Sequence, residues 1–305
     1  MVMPGYAKAY MSGYRRLALA SWQRADDPTI YGALEVDFTG GLKYIDRLRQ
    51  LTGTRVTATH VAGKAVAVAL RKNMHINGKV IWGRVYTKDT VDIFYQVSFE
   101  GGKDLSGTVI PNTDQRSCVE IARELEAKAT KLRKGEDQTY KKGQGTMVKL
   151  PRFIMRALYR LTIFLHYNFG INPSFLSAPW DPFGTAMITS VGSFGIDRAY
   201  APLYPPSRVP LVVLVGEVKE RPWVDQGQVV ARNTMILNAT LDHRIIDGFQ
   251  AGQILRAAKE WLDSLDEKVA EAEVEALKKS GALAAPVAAA PAPAQLPAPA
   301  AEPAK

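Results

Sequence analysis

His243 and Asp247 stand four residues apart in LDHRIIDG, the segment 241–248, and Gly248 closes the string. An apolar, strand-like run from Met235 to Leu241 leads into it, and a helical pattern from Gln250 to Leu265 follows. A histidine at such a junction can have one ring nitrogen tied up locally while the other takes a proton. That is the equipment of a general base serving a thiol or hydroxyl nucleophile. The same string also describes an ordinary turn, with Asp247 favouring the bend before Gly248. Gly248 is read as the residue that lets the chain turn tightly into the helix.

The elements that must hold this histidine are legible on both sides of it. Residues 30–38 (IYGALEVDF) alternate like a half-buried strand, and 40–52 read as a helix. Thr57 opens THVAGKAVAVALRKN, an Ala-rich buried helix ending near Asn73. VIWGRVY, DIFYQVSF and SGTVI are strand-like runs separated by turn residues. Residues 114–134 form a helix pattern with Glu120, Glu124 and Lys128 on one face. Beyond residue 182 come the strand patterns TAMITSV, PLVVLVGEV, QVVARN and MILNATL, then a helix from about 249 to 265. Strands and helices mix without strict alternation, which points to an α/β (α+β layered) domain with a mixed sheet.

A chain of 305 residues, 47% hydrophobic and 23% charged, is long enough for one large domain or two small ones. Its single cysteine, Cys118, excludes an internal disulfide framework and fits a reducing, cytoplasmic setting. Cys118 reads as a packed residue of an amphipathic helix, with nothing nearby to stabilise a thiolate. The N-terminal residues lack a secretory pattern, and no stretch reaches the roughly 18 apolar residues of a membrane span. A net charge of +9 suits an anionic partner such as a nucleotide cofactor, a nucleic acid or an acidic membrane surface. No nucleic-acid motif accompanies the charge, so nucleic acid is not expected as a partner, nor is a metal.

Two segments stand apart. Residues 281–305 are almost wholly Ala and Pro and are expected to form a disordered tail, preceded by a charged helix over 266–280. In KLPRFIMRALYRLTIFLHYN, residues 149–168, Lys149, Arg152, Arg156 and Arg160 share one helical face and bulky apolar residues cover much of the rest. Pro151 suits a first turn and Gly170 an end. Such a helix can pack on its own domain or a neighbouring subunit, lie in a membrane interface, or cover a greasy acyl pocket.

LDHRIIDG, AMITSVGSFGIDRAYAPLYPPSRVPLVVLVGEV and DLSGTVIPNTDQRSCVEIARELE, taken together, resemble the catalytic domain of the dihydrolipoamide acyltransferases of 2-oxo acid dehydrogenase complexes. YRRLALAS and VTATHVAGKAVAVALRKNMHINGKV match more weakly, so the likeness spans about 14–265. The resemblance implies a chloramphenicol acetyltransferase-like mixed sheet with flanking helices. It makes His243 the general base that deprotonates a thiol, coenzyme A or a dihydrolipoyl arm, as it attacks a thioester. It makes Thr189 the hydroxyl donor to the tetrahedral oxyanion, with Ser190 as the neighbouring candidate on the opposite strand face. Asp247 would be a structural acid paired with Arg16 or Arg15, and Asp242 and Arg244 would brace the loop. The family forms trimers with the site between subunits. A homotrimer is therefore expected, together with lipoyl-bearing or dehydrogenase-complex partner chains.

Three departures shape these expectations. The core begins almost at Met1, so no lipoyl domain is expected in this chain and coenzyme A enters as a substrate. Residues 144–181 read as an insertion in a catalytic domain covering 1–265. The charged helix and Ala/Pro tail follow that domain, which makes a large shell of trimers doubtful. Beside the transferase stands a reading of another class, a non-catalytic trimeric core or scaffold, membrane-associated through 149–168.

Overall fold

The structure, a computed structural model, describes residues 5–8, 12, 27–99, 104–133, 151–171 and 181–283. Arg15, Arg16, the tail from 284 onward and parts of the expected insertion lie outside these residues. In chain order the elements are β1 (Tyr6–Lys8), β2 (Thr29–Asp37), α1 (Thr39–Thr52), α2 (Ala58–Lys72), β3 (Gly78–Ile81), β4 (Arg84–Lys88), β5 (Ile93–Phe99), β6 (Asp104–Ile110) and α3 (Cys118–Arg133). They continue with α4 (Arg152–Phe169), β7 (Ala186–Ser190), β8 (Leu211–Val215), β9 (Lys219–Asp225), β10 (Gln228–Asp242), α5 (Gly248–Asp263) and α6 (Glu267–Lys279).

Strand β10 organises the main sheet, whose order is β2-β10-β8-β7-β5-β6, with β9 paired to the first half of β10. The pairs β5/β7 and β7/β8 are parallel; β10 runs antiparallel to β2, β8 and β9. A second small sheet joins β1, β4 and β3. Helices α1, α2, α3, α5 and α6 bury their apolar residues on one face of the main sheet, where Phe38, Leu48, Leu70, Ile188, Leu237 and Ile254 share one core. A smaller cluster on the opposite face, around Phe94, Met187 and Val212, is capped by Leu203 and Phe183. This is the mixed sheet with flanking helices that the sequence predicts.

Several boundaries differ from the pattern reading, each for a local reason. PLVVLVGEV is not one strand: β8 ends at Val215 and the chain steps aside at Gly216. A Cβ there would lie 2.2 Å from the Asp197 carbonyl, so only glycine admits the loop that crosses at this point. QVVARN and MILNATL form one strand rather than two. The polar residues Arg232, Asn233 and Thr234, which interrupt the pattern, pair with β9 and continue the ladder. The helix expected from 114 begins at Cys118. Ser117 Oγ accepts from Glu120 N at 3.0 Å and Glu120 accepts from Ser117 N at 2.8 Å, a reciprocal cap. Cys118 is fully buried, and burial, aided by Glu273, pushes its thiol up to about 12. The charged segment 266–280 contributes α6, which is capped by Asp266 and buries Ala270, Val274 and Leu277.

Candidate active site

His243 sits in the turn that carries β10 into α5. Its backbone N–H donates to the Pro28 carbonyl at 2.7 Å, and its Nδ1 lies 3.0 Å from the Ile246 carbonyl. A carbonyl only accepts, so Nδ1 must carry the hydrogen. In the neutral ring the lone pair then sits on Nε2, and the imidazole is fixed in the tautomer a base requires. The turn is braced from below. The Asp242 carbonyl accepts from Ile245 N and Ile246 N, each at 2.9 Å. The buried Asp242 carboxylate clasps Arg244 through Nε at 2.9 Å and Nη2 at 2.7 Å. Asp242 and Arg244 therefore hold the loop from both sides.

Asp247 is the N-cap of α5. Its Oδ1 accepts from Phe249 N at 3.0 Å and Gln250 N at 3.1 Å, while its own N–H donates to Gln250 Oε1 at 2.7 Å. The expected arginine partners, Arg15 and Arg16, lie outside the described residues. Gly248 plays a different part from the one its position suggests. Its φ is not among the positive values, and a Cβ there would meet nothing within 4 Å. The bend does not need a glycine. Gly248 instead lines an apolar cavity of about 160 Å³ between sheet and α5, with Leu241, Leu211, Val66 and Ile254.

Thr189 and Ser190 end β7, both half-buried. Met187 belongs to the smaller cluster and Ile188 to the main core, so by alternation Thr189 faces away from the helices and Ser190 toward them. Ser190 Oγ approaches the Val215 carbonyl at 3.4 Å. Thr189 pairs with Leu214, and Leu214 with Asn238. His243 lies five residues beyond Asn238, at the other end of the sheet. Five residues of strand rise and two strand spacings put the two backbones roughly 19 Å apart. One chain cannot bring His243 and Thr189 to the same reacting carbon.

Pattern reading missed the carbonyls of Pro28 and Ile246, which hold His243, because a backbone oxygen leaves no mark in a sequence. It also missed a buried ionic cluster. Lys79, with no exposed surface, contacts Asp181 Oδ1 at 2.5 Å, and Lys88 contacts Asp181 Oδ2 at 2.9 Å and Asp92 at 2.7 Å. Burial alone would raise the Asp181 carboxyl, but the Lys79 and Lys88 ammonium groups outweigh it and hold the carboxyl below the usual range. Among the described residues, no group of three or more His, Cys, Asp or Glu side chains converges as a metal site.

Comparison with known proteins places this architecture. The lipoamide acyltransferase component of the branched-chain alpha-keto acid dehydrogenase complex of Bacillus subtilis is 24% identical over 265 residues, covering 85% of this chain and 52% of that protein. The chain spans about half the length of the curated relatives it matches. Among solved structures, a probable dihydrolipoamide acetyltransferase from Listeria monocytogenes superposes with a TM-score of 0.59 at 23% identity, covering 85% of this chain and 95% of that one. Chloramphenicol acetyltransferase superposes with a TM-score of 0.51 at 12% identity, covering 84% and 100%. Both share the fold. The family model for 2-oxoacid dehydrogenases acyltransferase (catalytic domain) matches residues 5–147 and 183–269, leaving 148–182 between the two matched stretches. On that match, the chain belongs to the 2-oxoacid dehydrogenases acyltransferase (catalytic domain) family.

Proposed function

We propose that the protein transfers an acyl group between thiols, coenzyme A on one side and a dihydrolipoyl or related thiol on the other. The observation that carries this reading is the hydrogen bond from His243 Nδ1–H to the Ile246 carbonyl, which leaves the Nε2 lone pair as the base. The acceptor thiol gives its proton to Nε2 as its sulfur attacks the thioester carbon. The carbonyl electron pair moves onto oxygen, and the Thr189 hydroxyl donates to that oxyanion. Collapse reforms the carbonyl and expels the other sulfur, which takes the proton back from the imidazolium. No covalent enzyme intermediate is needed. Because His243 and Thr189 stand at opposite ends of one sheet, the site joins the histidine of one copy to the threonine of the next, in the trimer that the family likeness suggests. Asp247 serves by fixing the loop, and its charge suits the Arg15 or Arg16 pairing. Lipoyl-bearing chains of a dehydrogenase complex are the partners that fit this chemistry, and a cytoplasmic location fits the single buried thiol.

The test is subunit complementation with acyl-CoA and dihydrolipoamide. His243→Ala alone should lose at least about a hundredfold in kcat, and Thr189→Ala a similar factor. Randomly mixed oligomers of the two variants should recover about a quarter of wild-type activity, because one site in four then inherits an intact base and an intact hydroxyl from different copies. Mixed oligomers no better than the separate variants would refute the shared site. A wild type without turnover that still binds coenzyme A stoichiometrically would favour the scaffold.

A further inference from the structure

Helix α4 is fastened to the domain by its polar end and turns apolar residues outward. Tyr167 is buried; its hydroxyl donates to the Ser207 carbonyl at 3.2 Å and its ring lies 4.8 Å from Lys79 Nζ and 4.9 Å from the Arg208 guanidinium. Arg208 also donates to Asn168 Oδ1 at 2.8 Å, and Trp82 Nε1 donates to the Asn168 carbonyl at 2.8 Å. The buried contacts of this helix end are thus rich in polar and charged groups. Leu158, Leu161, Phe164 and Phe169 on the same helix are exposed, as is Ile171 just beyond it, with Leu161 at 53%. An amphipathic helix that served only to pack on its own domain would turn these residues inward.

The turn between β3 and β4 adds to this surface at a conformational cost. Trp82 and Gly83 form it with φ of 53° and 67°, a two-residue hairpin geometry that favours Asn or Gly at the first position. A bulky aromatic held there is strained, and the bond to the Asn168 carbonyl with the ring contacts of α4 holds the half-exposed indole in place against that cost. The Trp82 ring meets Phe164 at 5.5 Å and Phe169 at 5.4 Å, both edge to face, so the three rings make one raised aromatic cluster.

Charge identifies what this surface fits. Residues 138–180 contain six cations, Lys141, Lys142, Lys149, Arg152, Arg156 and Arg160, and no Asp or Glu, in a chain whose whole excess is +9. Arg160, next to Leu161 on the helix, and Arg84, two residues from Trp82, are both exposed. A second copy presenting Arg160 and Arg84 would be repelled there, whereas an anionic surface would be attracted. Among the described residues no helix is long and apolar enough to cross a membrane. We infer that α4 and the Trp82 turn form a docking face for the surface of a bilayer containing anionic phospholipids, with the helix lying in the plane of the headgroups. The inference does not depend on the transferase reading.

The full chain should co-sediment with vesicles of phosphatidylcholine containing about 30% phosphatidylglycerol, and much less with phosphatidylcholine alone or at high salt. Leu161→Ser with Phe164→Ser should abolish sedimentation. Replacing Arg152, Arg156 and Arg160 by Glu should weaken it at least about a hundredfold while leaving the fold intact by circular dichroism. Absence of binding to anionic vesicles, equal binding to neutral ones, or indifference to both variants would overturn the inference. So would a drop in oligomeric state in the Ser variant, which would make the face a contact between copies.

Discussion

Replacing Asp247 separates two contributions that its position combines. Its carboxylate accepts two backbone N–H bonds at the start of α5, at 3.0 and 3.1 Å. An N-cap of this kind is worth about 1 kcal/mol, and a negative charge at a helix N-terminus adds roughly 0.3–1 kcal/mol. Asp247→Ala should therefore cost about 1–2 kcal/mol, a fall in Tm of roughly 2–6 °C for a domain near this size. Asp247→Asn keeps an acceptor of equal capping quality and loses only the charge, so its Tm should stay within about 2 °C of the wild type. Catalysis adds a second readout. The Ile246 carbonyl that fixes the His243 tautomer immediately precedes Asp247. Freeing that carbonyl lets the imidazole drift, and a displacement near 1 Å can cost about a hundredfold in rate. Asp247→Ala should lower kcat for acyl transfer and leave KM for the acyl donor nearly unchanged. Thermal melts and steady-state kinetics on the same preparations decide the matter. An Asn variant as unstable as the Ala variant would refute the capping account. An Ala variant with full kcat would refute the link from cap to base. A stable Asn variant with low kcat would point to the arginine pairing of the carboxylate.

Two further outcomes concern ionisation. Asp181→Asn removes the carboxylate that Lys79 and Lys88 contact and should destabilise the protein by roughly 3 kcal/mol in denaturant titrations near neutral pH. The folded carboxyl titrates below its ordinary value, so its stabilisation is complete above about pH 4 and disappears as pH falls through the lower folded value; the Asn variant should show a flatter acid limb there. His60, whose Nδ1 accepts from Thr57 N at 3.1 Å, is lowered to about 4 by burial, then by Arg55 and Arg49. It stays neutral in the fold, so its stabilisation is complete above about pH 6.5 and is lost as pH falls toward 4. Unfolding midpoints between pH 7 and 5 should decline less in His60→Gln than in the wild type.

The parts of this fold that read directly from sequence are those fixed by local chemistry. The strand, turn and helix around His243 follow from an apolar run, a polar turn and a renewed helical period, and α2 begins after Thr57 as its pattern implies. What escaped depends on distant partners. Strand β9 carries Pro222 and four charged residues and looks like a loop, yet among the described residues it is an edge strand paired with β10 alone. The buried Lys79 in GKVI gives no signal, because its carboxylate partner lies 102 residues away. The long β10 was obscured because polar residues are tolerated where the strand leaves the core for its pairing with β9. Gly248 was misread for the opposite reason: its type suggested a tight bend, whereas the backbone there is ordinary and the missing side chain leaves space beside an apolar cavity.

The separation of His243 from Thr189 ties chemistry to assembly. A transferase working through a ternary complex needs its base and its oxyanion donor within hydrogen-bond reach of adjoining atoms, not on one chain. Here the parallel run of β7 with β8 carries Thr189 to one end of the sheet, and the antiparallel return of β10 carries His243 to the other. On the proposed mechanism each copy would supply its base to one site and its oxyanion donor to another, since no rotamer change closes roughly 19 Å. Contact between copies is, on that mechanism, a condition of turnover, so the equilibrium that assembles them also sets the fraction of competent sites. A mutation at the contact would then silence the reaction without touching either residue, because an isolated copy holds its own Thr189 roughly 19 Å from its own His243.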